Sequence, residues 1–145
     1  MSTEIARSFR GLKVYAEARA AAKAIFERSR AFPREERFSL TDQIRRSSRS
    51  VKAGLAEARA RRRYKASFVH KIDEAMGEAM ETQSWLDDAL DCGYLKSEEH
   101  VRPDAQWQAI GGRLARMIDR ADDFCRFALD TDYRKVAAVR SQSPH

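Results

Sequence analysis

Helix-breaking residues are scarce in this chain, and so are cysteines and long apolar runs. The prolines are Pro33, Pro103 and Pro144, and no alternating run rich in Val, Ile and Thr is present, so strands are not predicted. The two cysteines, Cys92 and Cys125, lie far apart and outside any C-x-x-C pattern, which is typical of reduced thiols in a cytosolic protein. Long stretches rich in Ala, Arg, Glu, Leu and Lys favour helix instead.

The absence of a long apolar run also bears on location. No segment reaches the length of a membrane span, and residues 1–10 lack the apolar core of a signal peptide. We therefore expect a cytoplasmic protein with no membrane partner. The length of 145 residues predicts one domain over residues 1–130, followed by a partly disordered tail over residues 131–145.

Acidic residues are almost missing from one segment. Residues 43–71 contain ten Lys and Arg residues and a single acid, Glu57, which gives a local charge of +9 (10 − 1). The other 116 residues contain 18 basic and 21 acidic side chains, or −3, and the two parts sum to the +6 of the chain. Such a basic block indicates nucleic acid, an anionic membrane surface or an acidic protein as partner. Its seven Arg to three Lys favour phosphate, because a guanidinium offers a planar fork of donors.

Local sequence signals predict where the first two helices begin and end. The first runs over about residues 12–30 and stops before Pro33, because the residue preceding a proline avoids helical geometry. The second runs to about Ala60. Its predicted N-cap is Ser39, with Asp42 three residues on as the reciprocal partner of the cap.

The third helix begins near residues 64–67 and ends at Cys92-Gly93, where glycine can adopt the left-handed C-cap conformation. Ser97 is predicted to cap the fourth helix, which has Pro103 near its beginning. Four amphipathic helices joined by short loops predict an all-α protein, an antiparallel up-down-up-down four-helix bundle.

Each helix has one apolar face whose residues recur at three- and four-residue steps. The predicted inner positions are Tyr15, Ala18, Ala22, Ile25 and Phe26 in the first helix; Ile44, Ser48, Val51, Leu55 and Ala58 in the second; Phe68, Ile72, Ala75, Ala79, Thr82, Leu86 and Leu90 in the third; and Trp107, Ile110, Leu114, Met117, Ile118, Ala121, Cys125 and Ala128 in the fourth.

The basic block lies beside the inner face of the second helix. At about 100° per residue, Arg45, Arg49, Lys52, Arg59 and Arg63 fall within an arc of roughly 80°, so we expect the block to form a basic ridge. The basic ridge comprises Arg45, Arg46, Arg49, Lys52, Arg59, Arg61, Arg62, Arg63 and Lys65. The nearby aromatics Tyr64 and Phe68 give no stacking signature, so binding should be phosphate-led and weakly selective. Two alternatives also explain the basic block: it can be a solvated surface, or it can pair with another protein chain.

Short segments distributed along the chain also resemble a known family. They are Phe9-Arg10-Gly11-Leu12-Lys13-Val14-Tyr15, Phe32-Pro33-Arg34-Glu35-Glu36-Arg37-Phe38 with Leu40-Thr41, Gln43-Ile44-Arg45-Arg46-Ser47-Ser48 with Ser50-Val51 and Ala56-Glu57, Ala75-Met76-Gly77-Glu78, and Cys92-Gly93-Tyr94-Leu95. In order and spacing these segments, from about Phe9 to about Phe124, are similar to the four-helix-bundle proteins encoded in intervening sequences of bacterial 23S ribosomal RNA.

That resemblance implies a four-helix bundle that assembles as a ring-like homo-oligomer, commonly a pentamer, without an established enzymatic activity. A related branch comprises accessory proteins of diversity-generating retroelements, which bind a reverse transcriptase and nucleic acid. The chain departs from the family at Lys52, Gly54 and Ala58, where proline, asparagine and glycine are usual. The second helix is therefore expected to be straighter than in relatives, and no role of the asparagine transfers to Gly54.

The third helix has a second apolar stripe, formed by Val69, Met76 and Met80, displaced about 100° from its core stripe. Gly77 lies opposite the core stripe, where an interior glycine costs about 1 kcal/mol relative to alanine. With Trp85, which is off the core stripe, these residues are candidates for an oligomer interface. The alternative is that the methionines broaden the core within one chain and the glycine is tolerated.

Signals for catalysis or metal binding are weak. His70, Asp73 and Glu74 share one side of the third helix, but the repeated Glu-x-x-His pairs of bundle metal sites are absent. No nucleophile elbow, P-loop or zinc cluster is present, so we predict a non-enzyme without metal or cofactor. The leading hypothesis is an oligomer that binds RNA or DNA through the basic ridge. The rival is a scaffold whose basic face docks an acidic or reverse-transcriptase-like protein, or pairs with Glu78 and Glu81 of a neighbouring subunit.

Overall fold

The computed structural model describes residues 8–125, which are helical with short connections and contain no strand. The helices are α1 (Lys13–Ser29), α2 (Leu40–Ala60), α3 (Lys65–Asp91), α4 (Ser97–Asp119) and the short α5 (Ala121–Cys125), with 3-10 turns at Phe9–Gly11 and Arg34–Glu36. The predicted all-α class is confirmed. None of the described helices is long and apolar enough to cross a membrane.

In each pair of neighbouring helices, the contacting residues follow one another in opposite directions along the two helices. The contacting pairs are Glu17–Arg113 and Arg28–Glu99 for α1 and α4, Ser29–Arg45 and Phe26–Arg49 for α1 and α2, Arg46–Glu78 and Glu57–Lys71 for α2 and α3, and Gln83–Gln108 and Asp87–His100 for α3 and α4. Each helix is therefore antiparallel to its neighbours, in a four-helix bundle.

The core lies between the four long helices and is closed by Leu95 and Phe32 from the connections. Trp107 is the largest fully buried side chain, and Phe68, Ile72 and Leu86 pack in the same cluster. The stripes predicted from periodicity are confirmed in large part. Phe26 differs: it is 36% exposed, because its position is at the edge of the inner face of α1.

Small side chains let α2 and α3 approach closely. A Cβ added at Gly54 would lie 3.4 Å from Ala75 Cβ, at ordinary contact distance. Between the same two helices, Ser47 Oγ and Thr82 Oγ1 form a hydrogen bond of 2.8 Å, and both residues are fully buried. Each hydroxyl also lies within hydrogen-bond distance of a carbonyl of its own helix, Ser47 of Ile44 and Thr82 of Glu78, so one hydroxyl donates to the other and the second donates to its carbonyl.

The helix ends match the sequence signals only in part. Gly93 has φ +78°, so the predicted left-handed C-cap after α3 is confirmed. Ser39 is at the predicted N-cap position of α2, but its side chain forms no capping hydrogen bond; its hydroxyl donates instead to Glu36 Oε1 at 2.6 Å. Ser97 is the first residue of α4 rather than its cap, and the Lys96 N–H donates to Glu99 Oε1 at 2.9 Å.

The fourth predicted helix is broken near its end. α4 ends at Asp119, and α5 continues after it, where Phe124 stacks on Phe68 with ring centroids 5.8 Å apart. Ala128, expected on the inner face, lies outside the described residues, and so does the tail predicted at residues 131–145. The extent of the domain to residue 130 therefore stays a prediction.

Candidate nucleic-acid interface

The nine residues of the basic ridge do not form one exposed surface. Arg59 and Arg62 are only 5% and 7% exposed, so neither guanidinium is open to a ligand in this conformation. This corrects the expectation that the whole basic block is a surface feature. Arg59, in the last turn of α2, and Arg62, in the turn that follows, both point inward, and long arginine side chains can bury their aliphatic stems along apolar neighbours. Arg61 and Arg63 remain exposed beside the turn into α3.

Two further members of the basic ridge are paired with acids of the same chain. Arg46 lies within ion-pair distance of Glu78 and Glu81, and the Lys65 Nζ is 2.7 Å from Asp122 Oδ1. The Glu81 hydrogen bond raises the pKa of Arg46, and the Asp122 hydrogen bond raises the pKa of Lys65. The acids that the rival hypothesis assigned to a neighbouring subunit, Glu78 and Glu81, thus already have a partner within the chain.

Two of the remaining cations of α2, Arg49 and Lys52, face a groove shared with α1, which we call the basic groove. Its volume is about 620 Å³, and its charged lining residues are Arg10, Arg19, Lys23, Arg49 and Lys52. No acid among the described residues lines it. Tyr15 and Phe26 add aromatic surface to the same groove. The basic groove therefore brings together two members of the basic ridge, Arg49 and Lys52, and three cations from outside the basic block.

Phe26 is the point where the cations of both helices converge. The guanidinium carbon of Arg45 lies 4.7 Å from the centre of the Phe26 ring, that of Arg49 lies 5.5 Å away, and that of Arg30 lies 6.0 Å away. Attraction between a cation and the face of an aromatic ring holds arginines in such positions. An exposed ring surrounded by guanidiniums offers both a stacking surface and phosphate donors.

The residues that α1 adds to this surface have a regular spacing in the sequence, although the net charge of the segment does not show it. Arg19, Lys23, Phe26 and Arg30 follow one another at steps of four, three and four residues, which places them on one side of a helix. Because acids such as Glu17 and Glu27 are interspersed along the same helix, no net basic run marks this face. The pairing of α1 with α2 could therefore be found only from the fold.

The candidate oligomer interface on α3 is also divided. Val69, Met76 and Trp85 are half-buried against the core, and the Trp85 indole N–H donates to Glu81 Oε1 at 3.2 Å. Met80 is 61% exposed, and a Cβ added at Gly77 would meet nothing within 4 Å. The half-buried residues therefore broaden the core of the chain itself, whereas Met80 and Gly77 remain open on its outer side.

One cluster of possible metal ligands appears that no sequence spacing indicated. Ligand atoms of Asp87, His100 and Asp104 lie within 4.8 Å of one another across α3 and α4. His100 Nε2 is 2.9 Å from Asp87 Oδ1, and the Gln83 amide donates to Asp104 Oδ1 at 3.1 Å. These hydrogen bonds account for the cluster as a polar contact between the helices. His70, one of the residues weighed from the sequence, pairs with Glu74 on the surface of α3 at 2.6 Å.

Comparison with known proteins agrees with this fold. A sequence model of the 23S rRNA-intervening sequence proteins matches residues 10–116. The chain is also similar to the crystal structure of a protein of unknown function from the S23 ribosomal protein family of Bacteroides thetaiotaomicron, with a TM-score of 0.66 and 26% identity. That match covers 72% of this chain and 97% of the other. No curated protein is significantly similar to the chain.

Proposed function

The chain belongs to the family of 23S rRNA-intervening sequence proteins, and from that premise we propose that it is a non-enzymatic protein that binds nucleic acid in the basic groove between α1 and α2. The observation that carries this proposal is the lining of the groove: among residues 8–125 it comprises five cations, from α1, α2 and the 3-10 turn before α1, and no acid. A concave surface of one charge attracts a polyanion more strongly than an equal number of scattered charges does.

The chemistry of the basic groove favours single-stranded or looped RNA. Arginine and lysine bind phosphates without regard to sequence, so the binding should be salt-sensitive and weakly selective. Phe26 and Tyr15 provide aromatic surface, which unpaired bases can contact and bases stacked within a duplex cannot. This extends the phosphate-led binding expected from the basic ridge, because the aromatics now lie beside the cations.

Oligomerisation is a second part of the proposal. The family resemblance implies a ring-like homo-oligomer, commonly a pentamer, and the open side of α3 around Met80 and Gly77 is the surface we assign to subunit contact. A ring would repeat the basic groove once per subunit, so several weak phosphate contacts could act together on one RNA. A cytoplasmic location is part of the same proposal.

Fluorescence anisotropy with a structured RNA, a single-stranded DNA of the same length and a duplex, across a salt series, tests the proposal. The variant Arg19→Gln/Lys23→Gln/Lys52→Gln removes three groove cations. A matched control, Lys96→Gln/Arg102→Gln/Arg116→Gln, removes the same charge from exposed positions in α4 and the connection before it.

We expect the groove variant to lose affinity by at least about tenfold and to show a shallower salt dependence, with little change in the control. Equal losses in both variants would mean that net charge, and not the groove, drives binding. No binding by the native protein at low salt would overturn the proposal and favour a scaffold that docks an acidic protein, such as a reverse transcriptase.

A further inference from the structure

A second basic concavity lies at the connection between α1 and α2, which we call the arginine pocket. Its volume is about 330 Å³, and Arg30, Arg34, Arg37 and Arg45 line it. The other lining residues are Ser29, Phe32, Pro33 and Thr41, so two hydroxyl groups accompany the four guanidiniums. Within residues 8–125, no acidic residue lines the arginine pocket.

The four guanidiniums are not neutralised within the part of the chain described, residues 8–125, because none of them forms an ion pair with a carboxylate there. The nearby Glu36 is engaged elsewhere. It accepts hydrogen bonds from Ser39 Oγ at 2.6 Å and from the Tyr94 hydroxyl at 2.9 Å. Four like charges around one concavity repel one another, so an anion bound there would be stabilised by all of them.

Contacts within the chain position the residues of the arginine pocket. Arg45 Nε donates to Ser29 Oγ at 2.8 Å, which leaves the two terminal amino groups of this guanidinium for a ligand. Arg34 begins the 3-10 turn Arg34–Glu36, and Arg37 follows it, so one connection places both arginines beside the pocket. Phe32 is 9% exposed and packs against Tyr94 with ring centroids 5.8 Å apart, which anchors that connection to the core.

The arginine pocket and the basic groove meet at Phe26. Arg45 lines the pocket and lies over the Phe26 ring, and the same ring lines the groove. The connection from α1 to α2 lies at this end of the space between the two helices. A strand that follows the groove toward this end therefore meets the connection and the four arginines.

We propose that the arginine pocket binds the terminal phosphate of a nucleic acid, a phosphate monoester dianion, whose chain continues into the basic groove. This inference rests on the proposed function. A terminal monoester has more charge and one more free oxygen than a phosphodiester within the chain, and guanidiniums bind such oxygens in pairs. The arginine pocket lies next to the end of the groove at Phe26, where a chain end can be placed, and Phe26 provides the surface on which the last base can stack.

The test compares short single-stranded RNAs of one sequence that end in a 5′-phosphate, a 3′-phosphate or hydroxyls at both ends. Anisotropy is measured with the native protein and with Arg34→Gln/Arg37→Gln, whose side chains are exposed and lie outside the core. Circular dichroism and native mass check that the variant keeps its fold and assembly. Inorganic phosphate is added as a competitor in a separate series.

We expect one phosphorylated end to bind about tenfold more tightly than the hydroxyl-ended RNA, and the variant to lose this preference while still binding the hydroxyl-ended RNA. Equal affinity for all three RNAs would overturn the pocket assignment and leave the proposed function standing. Displacement by inorganic phosphate as effective as by a phosphorylated RNA would also overturn it, in favour of free phosphate as the ligand. If none of the RNAs binds, the proposed function fails and the pocket assignment fails with it.

Discussion

Arg45 Nε donates a hydrogen bond of 2.8 Å to Ser29 Oγ, and this contact joins the last residue of α1 to the first turns of α2. Ser29 is 2% exposed and its hydroxyl also donates to the Phe26 carbonyl at 3.0 Å. The same arginine lies over the Phe26 ring, so one buried hydroxyl holds a guanidinium that lines the arginine pocket and contacts a ring of the basic groove.

Ser29→Ala should destabilise the protein by about 1–3 kcal/mol, because it removes the acceptor of a charged donor in a partly buried position. Chemical denaturation monitored by circular dichroism gives the free energy of unfolding. Ser50→Ala is the matched control, since the exposed Ser50 hydroxyl only donates to the Arg46 carbonyl of its own helix. The control should change stability by less than about 0.5 kcal/mol. Equal effects in the two variants would contradict the role given to Ser29.

Trp107→Ala should cost about 3–5 kcal/mol, because it empties a fully buried site between the helices. Trp107→Phe should cost much less. The Trp107 indole N–H is buried and has no hydrogen-bond partner within residues 8–125, so phenylalanine removes an unpaired donor as well as volume. Thermal and urea unfolding of both variants provide the comparison. Similar losses for alanine and phenylalanine would mean that the indole nitrogen is paired.

Gly77 allows a separation between the stability of one chain and its assembly. Gly77→Ala should stabilise α3 by about 1 kcal/mol, because an added Cβ meets nothing within 4 Å. If another subunit covers this side of α3, Gly77→Gln should lower the oligomer mass measured by analytical ultracentrifugation. Gly111→Gln, at a position in α4 where a Cβ also meets nothing within 4 Å, is the control. An unchanged mass for Gly77→Gln would remove Gly77 from the interface.

Glu36 should make stability depend on acid pH. Hydrogen bonds from Ser39 and then Tyr94 lower the pKa of this carboxyl below its ordinary value of 4.5. A depressed pKa in the folded state stabilises the protein above the unfolded value, and this stabilisation is lost as pH falls through the folded pKa. The advantage of the native protein over Glu36→Gln should therefore shrink in unfolding experiments below pH 4.5. A difference that is constant over this range would contradict the assignment.

Tyr94 should make stability depend on alkaline pH. The hydrogen bond to Glu36 raises the pKa of Tyr94 from 10.0 to about 12. A raised pKa means that the stabilisation is full below pH 10 and is lost as pH rises through about 12. In an ultraviolet titration of phenolate formation, Tyr94→Phe should therefore remove a tyrosine transition near pH 12. Glu36→Gln should shift that transition toward lower pH, and an unchanged titration in Glu36→Gln would show that the hydrogen bond is not its cause.

The helices could be predicted because their signals are local. Pro33 ends α1, Gly93 supplies the left-handed residue after α3, and apolar periodicity identifies Trp107 and Phe68 as core. The exposure of the basic ridge could not be predicted in the same way. Arg59 and Arg62 have the same composition signal as Arg61 and Arg63, and only the packing of α2 against the rest of the bundle decides which are buried.

The candidate site could be recognised only from the packing of α1 against α2. The basic block on α2 was visible from charge alone, whereas Lys23 and Arg19 are separated from it along the sequence and lie among acids. Their contribution depends on which side of α1 faces α2. Hydrophobic periodicity defines that side only to within the width of the apolar face, and Phe26 lies at its edge.

The buried pair Ser47 and Thr82 has a consequence for how α2 and α3 choose their relative position. The seam between these helices is rich in alanine, with Ala58, Ala75 and Ala79 all buried, and small side chains pack comparably well after a slip of one turn, about 5.4 Å. A slip would separate the two hydroxyls, now 2.8 Å apart, in a medium where no water can replace the lost partner. The polar pair therefore favours one register of α2 against α3, because only that register brings the two hydroxyls together. A single buried asparagine specifies register in a coiled coil in the same way.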